Sequence, residues 1–203
     1  MIDRRLRVAK DLVVEPVAAR MAGRVPPMLL TSLAFVAGVG GGVAAAFGLR
    51  WTAVAAWLAG RVFDGLDGAV ARRSERQSDL GGYLDMLGDT IGYAAVPIGI
   101  AVAQDDATVW IACVVLLASF YVNTMSWTFL AAIAEKRGSG AIEQGERTTI
   151  HMPAGLIEGA ETIVLFTLML AVPGRATELF VAMAALVAVT IGQRVVWAVG
   201  NLS

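Results

Sequence analysis

Long apolar runs, broken only by short polar turns, constrain this chain more than any other feature. Starting near Met28, stretches of about 20 mostly apolar residues recur at about 28–48, 51–71, 79–103, 107–134, 155–173 and 176–199. A run of that length spans a bilayer as a helix. Within lipid every backbone polar group must be satisfied internally, so helices are the element such runs can form. Composition agrees: 57% of the 203 residues are hydrophobic and 16% charged, against about 25% charged in soluble domains. The expectation is an all-α integral membrane protein, a bundle of six transmembrane helices.

The first 25 residues form a separate segment, preceding a transmembrane domain over 26–203. Leu6, Val8, Ala9, Leu12, Val13 and Val17 recur at near-helical spacing among Arg4, Arg5, Arg7, Lys10 and Arg20. That pattern predicts an N-terminal amphipathic helix in the headgroup region. Charges and Pro16 interrupt the stretch after the basic N-terminus, so no cleavable signal peptide is read there. Basic residues also set the topology. They crowd the N-terminal segment, the turn with Arg72, Arg73 and Arg76, and the loop with Lys136, Arg137 and Arg147. Both termini are expected on the cytoplasmic side. A net charge of -1 gives no basic excess for nucleic acid. The single cysteine, Cys113, excludes a disulfide within the chain.

Span one contains Gly38, Gly40, Gly41 and Gly42. Gly38 and Gly42 have the spacing that lets helices approach closely in lipid. No strand precedes them, so a nucleotide-binding loop is not indicated.

The informative stretch runs from Arg61 to Asp89. Asp64 and Asp67 fall near the end of span two, and Asp85 and Asp89 in the first turns of span three. Spacings of three and four put each pair on one helix face. A short turn makes the two helices antiparallel neighbours, so all four carboxylates can converge. An aspartate at mid-membrane costs on the order of 2.5–3.5 kcal/mol, and four like charges repel. Divalent cations resolve both problems. All-oxygen ligation without His or Cys favours Mg²⁺, Mn²⁺ or Ca²⁺, and four carboxylates suit two ions. Gly68 and Gly81 leave room beside the carboxylates, Arg72 can meet a phosphate, and Ser78 can cap the third helix. A structural polar network or the ion path of a transporter is the competing reading. A transporter site is expected near the midplane between paired halves, whereas these charges lie near one face and no half repeats. A lipid-binding scaffold is the third reading.

The residues Asp64, Asp67, Gly68, Ala71, Arg72, Gly81, Asp85 and Asp89 follow the pattern D-x2-D-G-x2-A-R-x8-G-x3-D-x3-D. The chain thereby resembles the CDP-alcohol phosphatidyltransferases. The resemblance implies an enzyme that moves a phosphatidyl group from CDP-diacylglycerol, or a similar CDP-lipid, to an alcohol with release of CMP. It implies two Mg²⁺ or Mn²⁺ ions on Asp64, Asp67, Asp85 and Asp89, with Asp89 also the general base. Gly68, Ala71, Arg72, Ser78 and Gly81 would meet the CDP part of the donor, and a homodimer is implied as well. Family members often carry Pro-Asn-x-x-Thr where span one begins. Here Pro27-Met28-Leu29-Leu30-Thr31 stands there, keeping Thr31 for the donor site but replacing the Asn by Met28.

The acceptor pocket is expected from other spans. Glu158 and Glu161 share a face of span five and can bind hydroxyls of a polyol or an amino group. Alternatively they pair with Arg147 or Arg194. Ser119, Asn123 and Ser126 make a polar strip on span four, suited also to hydrogen bonds between helices. Members of the family with inositol phosphate as acceptor would be expected to carry arginines near the start of span five. Gly159 and Thr162 stand there instead, which points to an unphosphorylated acceptor, while Arg147 in the preceding loop keeps glycerol phosphate as the alternative. His151, the only histidine, is read as a surface or capping residue.

Overall fold

The computed structural model describes residues 14–138, 155–157 and 159–202. Among these, regular structure is entirely helical. Six long helices follow one another: α1 (Pro27–Ala46), α2 (Arg50–Arg73), α3 (Asp79–Gln104), α4 (Ala107–Lys136), α5 (Gly159–Ala171) and α6 (Ala176–Leu202). A short 3-10 turn, Pro173–Arg175, joins the last two.

Local chemistry places the boundaries. Pro27 opens α1 behind Pro26, where a missing N–H and a fixed φ cost nothing. Ser78 caps α3, its hydroxyl accepting from the Gly81 N–H at 3.1 Å, as the sequence predicts. Asp106 precedes α4, and its Oδ1 accepts from the N–H groups of Thr108 at 2.8 Å and Val109 at 3.2 Å. The fifth helix departs from expectation. It starts at Gly159 rather than near 155, and Gly155–Ile157 are not helical. The Ile157 N–H instead donates to the Thr190 hydroxyl at 3.1 Å, a partner no local pattern reveals.

Among the described residues, four helical stretches are long and apolar enough to cross a membrane: Pro27–Ala46, Asp79–Gln104, Ala107–Lys136 and Pro173–Leu202. Helix α2 has the length but carries Arg61 at its middle and Asp64 and Asp67 in its second half. Helix α5 has 13 residues. Large apolar side chains point outward along the bundle, among them Val36, Val62, Ile111 and Val196. Such apolar cover is foreign to a water-facing surface and natural against hydrocarbon. The protein is integral to the membrane.

The described residues fall into two compact units. The first runs to Trp110 and takes in Gly159–Ala176. In it α1 packs along both α2 and α3, and α2 also meets α5. The glycines of α1 work as close-packing positions: a Cβ on Gly99 of α3 would run into the Gly42 carbonyl, and Gly38 faces Gly92. Of the N-terminal amphipathic segment, residues 1–13 lie outside the described residues. Residues 14–21 are helical. There Ala18 is buried with Leu30, Leu66, Ala69 and Val70, and Glu15 pairs with Arg73 at 2.6 Å.

The second unit runs from Ile111 and returns with Thr177 onward. Here Arg194 of α6 is buried and donates to Asn123 Oδ1 of α4 at 2.6 Å. Ser119 and Ser126 donate back to the carbonyls of Leu116 and Asn123, each at 2.7 Å. The polar strip of α4 thus satisfies its own helix and joins it to α6 through Asn123. Cys113 is a buried free thiol.

Candidate metal and donor site

Helices α2 and α3 bring Asp64, Asp67, Asp85 and Asp89 together. Every pair among the four lies within electrostatic range. The turn explains the convergence. Helix α2 ends at Arg73 and α3 begins at Asp79, so the chain reverses within a few residues. The last turns of one helix then lie beside the first turns of the next.

Protein donors hold two of the carboxylates. Asp67 is 6% exposed. Its Oδ2 accepts from the Thr31 hydroxyl of α1 at 2.7 Å, and its Oδ1 accepts from the Gly68 N–H. Asp89 accepts from Arg61 Nη1 at 2.7 Å and more loosely from the Tyr93 hydroxyl at 3.4 Å. Among the described residues, no three His, Cys, Asp or Glu side chains already enclose a common point as a ligand set. The available donors are carboxylate and hydroxyl oxygens, which fit Mg²⁺ or Mn²⁺ and not a soft or thiolate-seeking metal.

The other residues singled out in the sequence border this cluster. Gly68 and Ala71 are half-buried on α2, and Arg72 is exposed at its end. A Cβ on Gly68 would lie 3.2 Å from an Arg72 guanidinium nitrogen. A Cβ on Gly81 would lie 3.1 Å from the Ser78 hydroxyl, so this glycine keeps the cap uncrowded. Glu161 begins the second half-turn of α5, in the same unit as the carboxylates. Glu158, Arg147 and His151 lie outside the described residues.

Three residues around the cluster escaped sequence reading. Arg61 sits one turn before Asp64 and is buried. Its guanidinium lies over the rings of Trp57 at 4.8 Å and Tyr93 at 5.4 Å. Trp57 stacks on Phe166 of α5 with centroids 4.9 Å apart. The available signal was a lone arginine inside a span, which demands a partner as strongly as an aspartate does. A separate cavity of about 210 Å³ lies at the opposite end of α2, lined by Arg50, Ala53, Ile100, Gln104 and Leu170 among others, and has no carboxylate.

Known proteins resemble this chain in sequence and in fold. The pattern of the CDP-alcohol phosphatidyltransferases matches residues 24–199. The inner membrane protein YnjF of Escherichia coli K12 is 35% identical over 169 residues, covering 83% of this chain and 81% of its own length. Crystal structures of Mycobacterium tuberculosis phosphatidylinositol phosphate synthase (PgsA1) share the fold at 23% identity. The complex with manganese and citrate has a TM-score of 0.69, covering 91% of this chain and 88% of the other. The form with CDP-DAG bound has the same TM-score, with coverage of 90% and 92%. With the motif, the helix pair that carries it and a match over most of its length, the chain belongs to the CDP-alcohol phosphatidyltransferase family and is a transferase of phospholipid synthesis.

Proposed function

We propose that the protein transfers a phosphatidyl group from CDP-diacylglycerol, or a closely similar CDP-lipid, to an alcohol, releasing CMP. The clustering of four carboxylates, close enough to influence one another, where α2 and α3 meet carries this reading. Asp64, Asp67 and Asp85 would hold divalent ions, with Asp89 joining the second. Two bound Mg²⁺ or Mn²⁺ ions would supply positive charge against the pyrophosphate and the charge that develops on it.

The chain's own groups do the rest. Asp89 takes the proton from the acceptor hydroxyl, which is a poor nucleophile while protonated. Thr31 and the Gly68 N–H keep Asp67 in place, so that carboxylate need not reorganise as charge builds. Arg72, exposed at the end of α2, meets donor phosphate. Gly68, Ala71, Ser78 and Gly81 shape the donor side, their small side chains admitting a bulky nucleotide close to the backbone.

The acceptor we infer is unphosphorylated, a polyol or amino alcohol, with Glu158 and Glu161 on its pocket. Gly159 and Thr162 occupy positions where a phosphate-gripping site would carry arginines. The chain divides into an interfacial segment over 1–25 and a catalytic domain over 26–203. It crosses the membrane six times, α2 and α5 included, with both termini and the carboxylates on the cytoplasmic side, and it acts as a homodimer. Charged α2 counts as a span because its carboxylates lie toward one end, within reach of water and ligand, and its mid-helix Arg61 is paired with Asp89.

The test uses purified protein, labelled CDP-diacylglycerol, Mn²⁺ or Mg²⁺, and a panel of alcohols. CMP release that requires both the ion and one alcohol is expected. No CMP release with any alcohol, at full Mn²⁺ occupancy, would overturn the assignment.

A further inference from the structure

The carboxylate cluster has a floor, and one cation is built into it. Arg61 is 8% exposed. Its Nη1 lies 2.7 Å from Asp89 Oδ1 and 4.0 Å from Asp64 Oδ2. The same nitrogen donates to the Tyr93 hydroxyl at 3.3 Å, and that hydroxyl donates to Asp89 Oδ2 at 3.4 Å. Both oxygens of Asp89 are therefore held from the side away from the α2–α3 turn. Trp57, Tyr93 and Phe166 form a triangle of rings with centroids 4.9–5.9 Å apart, and the guanidinium lies over the first two.

This arrangement does not read as a stability device. Arg61 Nε and Trp57 Nε1 are buried with no acceptor among the described residues, which weakens a fold. A buried ion pair is itself poor evidence of stabilisation. A planar guanidinium, stacked and forked, does something else well: it fixes the orientation of one carboxylate.

We propose that Arg61 is a positioning residue for Asp89. It is an internal counter-cation that holds this carboxylate while the site lacks divalent ions and restrains its orientation when they bind. The inference rests on the reading that Asp89 belongs to a divalent-cation site. Arg61 and an incoming dication then compete for the same negative charge.

The test is a double-mutant cycle on the full-length purified protein, with Mn²⁺ alone as probe. Mn²⁺ binding is read from loss of the free-ion electron paramagnetic resonance signal. Removing one positive charge within a side chain's length of a dication should tighten binding about tenfold even under water-like screening. Release of Asp89 adds to this direct effect, so Arg61→Met is expected to bind Mn²⁺ more than about tenfold more tightly than wild type, and to melt lower without Mn²⁺ but recover more on its addition. In an Asp89→Asn background only the direct repulsion between the guanidinium and the ion remains, so the effect of Arg61→Met should be clearly smaller than beside native Asp89. Unchanged or weaker Mn²⁺ binding in Arg61→Met, or an equal effect in both backgrounds, would overturn the proposal. Should Arg61→Met not fold, Arg61→Lys replaces it: the charge stays but the fork is lost. A several-fold change in Mn²⁺ affinity that disappears beside Asp89→Asn supports the role, and equal affinities overturn it. Failure of wild type to bind Mn²⁺ at all would instead remove the metal-site reading beneath it.

Discussion

The hydroxyl of Thr31 donates to Oδ2 of Asp67 at 2.7 Å, joining the first turns of α1 to the last turns of α2 across 36 positions of chain. Asp67 is thereby held from a third helix, outside the pair that carries the carboxylates. A hydrogen bond to a charged acceptor contributes about 1.5–3 kcal/mol. Thr31→Val keeps the shape of the side chain and should destabilise the protein by about that amount. Thermal unfolding in detergent measures it. Unchanged stability and unchanged Mn²⁺ binding would mean the contact does not matter.

Asp89→Asn removes the proton acceptor but keeps the side chain's size. Turnover should fall by at least the 10²–10⁴-fold typical of losing a general base, while labelled CDP-diacylglycerol still binds. Filter binding and CMP release on one preparation separate the two effects. Near-normal turnover would remove Asp89 as the base.

Asp85→Asn, Asp64→Asn and Asp67→Asn should each cut the rise in thermal midpoint that Mn²⁺ produces in wild type. Binding to the native state alone stabilises it by mass action, about 2.7 kcal/mol at a hundredfold excess over Kd. Chelation with EDTA should return wild type to its own ion-free midpoint. A full Mn²⁺ response in all three would place the ion elsewhere.

Ser78 has a structural role and a proposed ligand role, and two substitutions divide them. Ser78→Ala should cost about 1 kcal/mol through loss of the cap, whereas Ser78→Gly should cost only a few tenths. If the hydroxyl also meets the donor, Ser78→Gly weakens CDP-diacylglycerol binding with stability nearly intact. Equal binding by Ser78→Gly and wild type would leave Ser78 as a cap alone.

The packing of α1 on α3 gives a paired test. A methyl at Gly99 meets the Gly42 carbonyl, whereas one at Gly40 meets nothing within 4 Å. Gly99→Ala should destabilise by about 1–3 kcal/mol. Gly40→Ala should be neutral or stabilising by up to about 1 kcal/mol. Comparable melting of the two would show that the helices can separate without loss.

How much the sequence alone determined follows from the range over which each signal acts. Spacings of three and four residues put Asp64 with Asp67 and Asp85 with Asp89, because a helix repeats every 3.6 residues. Ser78 was legible as a cap because capping is decided within three residues. Long apolar runs fixed most helix boundaries to within a few positions. Tertiary structure decided what no local period encodes: that Thr31 meets Asp67, that Asp89 answers to Arg61 and Tyr93, and that the start of α5 gives way to a bond between Ile157 and Thr190. An arginine in a span announces that a partner exists. Which carboxylate takes it depends on how three helices pack, and that choice sets the charge remaining for a metal ion.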